Sequence, residues 1–235
     1  MTKSFLKWAG GKAKLTPLIR QQLPHAKRLI EPFTGSAAVS LALEFDEYVL
    51  NDSNADLMNV YQILQVEQQD FVDYAQSFFT PEHNQETRFY DLREQFNHTD
   101  NHHEKAALFI YLNRHAFNGL CRYNSKGGFN VPFGRYKSPY FPADEMHGFV
   151  QKSNRMMLMC GDFQVAFERV NADDVIYCDP PPELRTWFEN NLHRFPERTV
   201  QTPIGNGQRY TTVGRLVPIR TVLQECHNLI REFNI

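Results

Sequence analysis

Cysteine is scarce in this sequence and is not paired in spacing. Cys121, Cys160, Cys178 and Cys226 are scattered without a CxxC motif, so reduced thiols in a cytoplasmic protein are expected rather than a disulfide framework. Long apolar runs are missing too, and the first residues carry no apolar signal-peptide region. Neither a membrane span nor a leader is therefore expected. There is no GxxxxGK[ST] phosphate loop: "WAGGK" (Trp8–Lys12) resembles one only in its last residues, and no clear strand precedes it. A full GxGxxG is also absent, which argues against a generic nucleotide-binding dehydrogenase. No internal repeat or low-complexity tract is seen.

Acidic residues are missing from two zones. From Met1 to Ile30 there is none, against Lys3, Lys7, Lys12, Lys14, Arg20, Lys27 and Arg28. From Lys105 to Ala143 there is again none, against Lys105, Arg114, Arg122, Lys126, Arg135 and Lys137. Between them, Glu44 to Glu104 carries fourteen acids and only Arg88 and Arg93 as bases. The net charge of −2 hides this segregation. Two acid-free basic zones give a near-neutral protein a positive face, as a polyanionic partner requires.

What is present fits an ordinary globular domain. The 235 residues, 42% apolar and 22% charged, suffice for one sizeable core with room for an inserted subdomain. "RLIEPFTGSAAVSLAL" (Arg28–Leu43) reads as strand, tight turn at Gly35 and apolar helix. "EYVLNDSNADLMNVYQIL" reads as a strand ending at Asn51-Asp52, with Asn54 as a candidate helix cap. This is the first half of a doubly wound, Rossmann-like α/β sheet. Residues 67–112 carry apolar residues at helical spacing. "NGLCRYNSKGGFNVPFGRY" then reads as a hairpin turning at "NSKGG". Sheet texture returns at "MMLMCGDF" and "DVIYCDPP".

Two constellations carry chemistry. Gly35 at a strand's end lets a ligand approach the following helix closely, and Asp52, ending the next strand, suits ribose hydroxyls. The pattern fits NAD, FAD and S-adenosylmethionine alike, and Asp52 as a plain helix cap stays open. In "DPPP" (Asp179–Pro182), a carboxylate at a strand end can accept from an exocyclic amine, and a carbonyl beside a rigid proline is a second preorganised acceptor. Two acceptors draw the nitrogen lone pair out of conjugation with its ring, which is what methylating adenine N6 demands. A lone DPP can equally be a structural turn.

"FLKWAGGK", "EPFTGSAAVSL", "LNDSNADLMNVY", "YLNRHAFNGLCRYNSKGGFNVPFGRYKSPYFP" and "VIYCDPP" together resemble the Dam-type DNA adenine-N6 methyltransferases, collinearly over residues 4–181. The resemblance implies a methyltransferase sheet interrupted by a helical and β-hairpin DNA-recognition region. It also implies S-adenosyl-L-methionine as cofactor, no metal, double-stranded DNA as partner, GATC as the usual site and flipping of the target base. Asp179, Pro180 and Pro181 would be catalytic. Trp8, Lys12, Gly35, Asp52, Asp162 and Asp179 would line the cofactor site. Lys7, Phe117, Asn118, Arg122, Asn124, Arg135 and Tyr136 would meet DNA. Among these, Arg122 suits a bidentate guanine contact and Asn118 or Asn124 an adenine edge. Phe117 is either a wedge in the base stack or a core aromatic. Lys7, Arg135 and Tyr136 suit phosphate or flanking base atoms. A monomer without membrane attachment is expected.

The expected organisation is 1–56 as the first half of the cofactor domain, 57–155 as the inserted recognition region, 156–182 as the catalytic half and 183–235 as an atypical tail. Two departures from the family pattern stand out. Ala37 stands where a second glycine is common, and its methyl is tolerated if φ is negative. Pro182 stands where the family has an aromatic ring that stacks on the flipped base, and the tail beyond it bears no resemblance in the frame as given. Codons compatible with Leu192–Gln201, read one nucleotide later, allow "YTAFPSEQS", close to a family segment, so a frameshift is one account of the tail. The departures support a second reading, a catalytically silent relative that still binds its DNA site.

Overall fold

A computed structural model describes residues 2–171, 174–180, 184, 199–200 and 214–215. In chain order the elements begin with α1 (Thr16–Gln22), β1 (Arg28–Glu31), α2 (Ala38–Ala42) and β2 (Glu47–Asp52). Four longer helices follow: α3 (Ala55–Glu67), α4 (Gln69–Gln76), α5 (Glu86–His98) and α6 (His102–His115). A 3-10 turn (Phe117–Gly119) and α7 (Ala143–Ser153) precede β3 (Met156–Cys160), α8 (Phe163–Phe167) and β4 (Asp174–Ile176). A two-residue ladder, β5 (Thr199–Val200) with β6 (Gly214–Arg215), is antiparallel. No helix among the described residues is long and apolar enough to cross a membrane.

The chain divides into two compact units: Met1–Gly11 with Ala55–Asn154, and Lys12–Asn54 with the described residues from Arg155 onward. The second unit is built on a four-stranded parallel sheet in the order β3-β2-β1-β4. β1 and β2 are buried along nearly their whole length, so their sequences run apolar instead of alternating, as strands covered on both faces do. Ile30, Val49, Ile176 and Cys178 share a core with Phe163, Ala166 and Phe167 of α8. The opposite face meets α2, whose Ser40 Oγ donates to Glu31 Oε1 at 2.7 Å. Two strands are added on one side of β1 and one on the other, so the strand order reverses between β1 and β4. This is the doubly wound, Rossmann-like sheet, and its ligand crevice is expected outside the carboxyl ends of those two strands.

The bottom of that junction is locked by charge. Arg28 and Asp174, register partners at the starts of β1 and β4, form a fork: Nε donates to Oδ1 at 3.0 Å and Nη2 to Oδ2 at 2.6 Å. Nη2 also reaches the carbonyl of Arg169 at 2.7 Å. Both side chains are largely covered.

The top is set by a tight turn. Thr34 N–H donates to the Asn51 carbonyl at 2.8 Å and Ala37 N–H to the Thr34 carbonyl at 2.9 Å. Gly35 has φ 49° and Ala37 has φ 53°. The condition set by the sequence, a negative φ at Ala37, is therefore not met: the alanine is left-handed, with its methyl fully buried. A turn that must open a helix directly above a strand leaves little choice of backbone, which is why glycine is common there.

The first unit is helical. From Ala106 to His115, α6 is buried on every side, as the central helix of a bundle must be, and α3, α4 and α5 pack on it. Asn101 caps it, its side chain accepting from the N–H groups of His103 and Glu104 at 3.0 and 3.2 Å. The segment following α6 forms the expected hairpin, but with isolated bridges at Ala116–Phe133 and Tyr123–Phe129 in place of a continuous ladder. Its outgoing side chains are fastened to helices instead.

Two stability measurements test these joints. Arg28→Ala leaves the covered Asp174 carboxylate without its fork, and a loss of about 3 kcal/mol in urea unfolding is expected; a loss below about 1 kcal/mol would contradict the lock. At Ala37, glycine relieves roughly 1–2 kcal/mol of left-handed strain but forfeits a buried methyl worth about 0.8 kcal/mol and gains unfolded-chain entropy. Ala37→Gly should thus stay within about 1 kcal/mol of the parent, whereas β-branched Ala37→Val should lose about 2 kcal/mol or more. Equal stability of the two variants would exclude a left-handed Ala37.

Candidate active site and nucleic-acid interface

At the carboxyl end of the sheet, the strand ends converge on one side chain that sequence reading passed over. Asn51 is fully buried near the end of β2. Its Nδ2 donates to the carbonyls of Pro32 and Gly161 at 3.1 and 3.0 Å, tying the residues that follow β1 and β3 to β2. Its Oδ1 is buried with no hydrogen-bond partner among the described residues. The signal for this role was a lone amide in the aliphatic run "VLND".

The predicted cofactor residues of this unit lie on the same rim. Asp52 Oδ2 accepts from Gly35 N–H at 2.9 Å and Oδ1 from Asn54 N–H at 3.0 Å, so Gly35 and Asp52 are brought together directly. Burial raises the Asp52 carboxyl above its ordinary range, opposed by backbone N–H groups of Asn54, Gly35 and Ser53. Each oxygen accepts one of these two bonds, and the carboxylate keeps acceptor capacity for the O–H groups of a ribose, which would donate to it. Asp162 caps α8, its Oδ1 accepting from Gln164 N–H at 3.0 Å.

Asp179 and Pro180 follow β4. Tyr177 N–H still pairs with the Ile30 carbonyl at 2.9 Å, so the strand's direction carries into the motif. Lys12 Nζ donates to Asp179 Oδ2, bringing two predicted residues together in a contact that the sequence did not anticipate. Tyr177 is buried and its hydroxyl finds no partner among the described residues. Burial, then the charges of Asp179 and Glu31, push this phenol far above its ordinary range. Pro181 and Pro182 lie outside the described residues, as do the tail positions on which the frameshift reading rests, apart from Thr199 and Val200.

The helical unit holds the predicted DNA-facing residues and also Trp8, which is half-buried at the start of a turn closed by Gly11 N–H on its carbonyl at 3.0 Å. Phe117 is 49% exposed, which removes the core reading of that ring. Asn118 follows it with φ 53°, exposed. Arg122 is exposed; its Nε donates to Asn130 Oδ1 at 2.8 Å and Nη2 to the Asn130 carbonyl at 3.3 Å, across the hairpin. Asn124 builds the tip: Oδ1 accepts from the N–H groups of Lys126 and Gly128 at 2.9 and 3.0 Å. With that oxygen committed to the turn, Asn124 is a poorer partner for an adenine edge than Asn118. Arg135, at φ 53°, pairs with Glu86 at 2.9 Å. Lys7 Nζ sits 4.4 Å from the Tyr136 ring centroid, and burial followed by the charge of Arg114 lowers its pKa.

The hairpin is held by residues with no sequence motif of their own. Asn97 of α5 pairs with both backbone groups of Phe129, at 2.8 and 3.2 Å, and Arg93 Nη1 donates to the Val131 carbonyl at 3.2 Å. Four residues of helix advance about 6 Å and two of strand about 6.6 Å, so helix positions 93 and 97 match strand positions 131 and 129. On the outgoing side, Tyr123 hydroxyl donates to Asp56 Oδ2 at 2.8 Å, and Lys105 pairs with Asp56 at 3.4 Å. Beneath the hairpin, His115 stacks on Tyr111 with centroids 4.0 Å apart, and burial lowers its pKa to about 4, so it is neutral at neutral pH.

Comparison with known proteins adds the ancestry of this arrangement. The model of the D12 class N6 adenine-specific DNA methyltransferases matches residues 8–192. A DNA adenine methylase of Vibrio cholerae is 48% identical over 179 residues, which covers 76% of this chain and 65% of that relative. DNA adenine methylases of Serratia marcescens (48% identical, 76% and 66% covered) and Escherichia coli K12 (44% identical, 76% and 64% covered) give the same picture. The chain thus spans just under two thirds of the length of these relatives. The strand order, the Gly35–Asp52 rim, the motif after β4 and the matched family model lead to one assignment: the chain belongs to the D12 class of N6 adenine-specific DNA methyltransferases.

Proposed function

We propose that the protein is an S-adenosylmethionine-dependent methyltransferase that modifies adenine N6 in double-stranded DNA, at GATC, and works as a cytoplasmic monomer. The observation that carries the reading is Asp179-Pro180, reached two residues beyond β4, at the reversal of strand order, in a chain of this family. S-adenosylmethionine, when bound, supplies a sulfonium-activated methyl group. Asp52 would hold its ribose, the Gly35 turn would admit its methionine end, and Asp162 would flank it.

The chain's own groups act on the base. Asp179 Oδ1 and the Pro180 carbonyl accept the two hydrogens of the exocyclic amine, which turns the nitrogen lone pair out of the ring system and toward the methyl group. Lys12, on Oδ2, fixes the carboxylate rotamer so that the other oxygen faces the amine. Reaching that pair of acceptors requires the adenine to leave the stack. Phe117, exposed on its 3-10 turn, is suited to fill the gap, with Asn118 beside it for the base left unpaired. Arg122, braced by Asn130, reads guanine in the major groove.

A second reading has one feature in its favour: Pro182 in place of a stacking ring, where stacking contributes roughly 1–3 kcal/mol per base. Under it the protein binds the site without methylating it.

Transfer of labelled methyl to a GATC duplex, with a GTTC duplex as control, separates the readings. Label on GATC alone, abolished by Asp179→Asn, is expected. Site-specific binding without label would leave only the silent relative, and no duplex binding at all would overturn both. Arg122→Ala should cost tenfold or more in affinity, about 1–3 kcal/mol, and relax selection at one guanine. Unchanged discrimination between matched and mismatched duplexes would remove Arg122 from base reading.

A further inference from the structure

The hairpin pairs in a register that sorts its side chains. Asn130 N–H donates to the Arg122 carbonyl at 3.1 Å and Asn124 N–H to the Gly128 carbonyl at 2.9 Å. Tyr123 and Phe129, bridged between those bonded positions, are therefore a non-hydrogen-bonded pair, whose side chains lie closest together. Their rings meet edge to face with centroids 5.9 Å apart. Side chains alternate along a strand, so Tyr123 and Phe129 share one face and Arg122 and Asn130 the other. Phe129 is buried, which makes its face the underside. Arg122, bonded to Asn130, stands on the exposed side.

The underside is closed into a ring. Phe129 meets Phe96 of α5 at 5.8 Å, and the Lys105 ammonium of α6 lies 5.2 Å from the centroid of that same Phe96. Lys105 pairs with Oδ1 of Asp56 on α3 at 3.4 Å. Asp56 Oδ2 accepts from the Tyr123 hydroxyl at 2.8 Å, and Tyr123 returns the circuit to Phe129. Three helices thus fix the underside, and one carboxylate completes the circuit. That carboxylate is well placed for the task. Each of its oxygens has a partner, it is largely covered, and it lies in the first turn of α3, where a helix favours an anion. A bidentate contact to guanine needs two donors in place at once, which means holding the arm to within about 0.5 Å. A phosphate contact is more forgiving. An outgoing arm free to tilt would still bring Arg122 to a phosphate, so affinity would survive while base selection was lost.

Resting on the base-reading role proposed above for Arg122, we infer that Asp56 and Tyr123 are positioning residues for base selection. Their bond sets the height of the outgoing arm, so that Arg122 on the opposite face meets its guanine. Both act through Arg122 and not on DNA directly.

Binding of the full chain to GATC, and to duplexes with one base pair of the site replaced at a time, tests this by anisotropy with S-adenosylmethionine present. Tyr123→Phe keeps the ring and removes one hydroxyl. It should lower preference for the guanine that Arg122→Ala identifies by about fivefold, leave preference at the other positions unchanged, and add nothing to the Arg122→Ala loss. Asp56→Ala should lower the same preference and add nothing in the Tyr123→Phe background. Any effect of the released Lys105 falls on all duplexes alike and cancels in the ratio. Unchanged guanine preference in Tyr123→Phe, a loss spread evenly over every position, or a further loss on top of Arg122→Ala would each overturn the inference while leaving the role of Arg122 intact. If urea unfolding shows Asp56→Ala to be unfolded, Tyr123→Phe decides alone. A parent chain without preference for GATC, or an Arg122→Ala variant that keeps it, overturns the base-reading proposal itself, and this inference with it.

Discussion

The Nδ2 of buried Asn51 needs acceptors, and that requirement fixes the relative heights of three strand ends. Leaving such a group unsatisfied costs about 1–3 kcal/mol, so Asn51 holds the carbonyls of Pro32 and Gly161 in place. Its own carbonyl takes the Thr34 N–H, which sets the turn carrying Gly35. Only with those heights fixed does Gly35 N–H reach the Asp52 carboxylate. The Arg28–Asp174 fork performs the matching task at the other end of β1 and β4. The fork pins β4 to β1, and strand order reverses between those two strands, which is where an open α/β sheet receives its ligand.

The helical unit solves a different problem with the same chemistry. A hairpin of two isolated bridges would be marginal alone. Its stability comes from α5 and α3, through Asn97, Arg93 and the Asp56–Tyr123–Lys105 group. The exposed Phe117 ring takes no part in that bracing. The basic zones seen in the sequence make sense on this footing: residues such as Arg122 sit on backbone that other residues hold.

The parts of this structure legible in the sequence are those that periodicity and local chemistry dictate. Continuous apolar runs gave β1 and β2, helical spacing gave α5 and α6, and "NSKGG" gave the hairpin tip. What stayed hidden depends on three-dimensional partners. Asn51 and Asn97 look alike in sequence, and only packing reveals that each clamps a distant backbone. Asn124 reads as a DNA contact in the sequence, and that its oxygen also closes the turn is visible only in the fold. The sequence set only a condition on Ala37, a negative φ, and the turn geometry does not meet it. Lys12 was read with the cofactor because of its neighbours in the chain, and its bond to Asp179 could not be read there.

The central claim is that the rim formed by Gly35, Asp52 and Asp179 receives S-adenosylmethionine. Amide hydrogen exchange of the full chain, followed with and without that compound, tests it most directly. The expected result is slowed exchange confined to the Pro32–Ala37 turn, the Asp52–Asn54 turn and the residues from Asp179, with loss of the effect in Asp52→Ala. Protection elsewhere, or none at saturating concentration, would contradict the account.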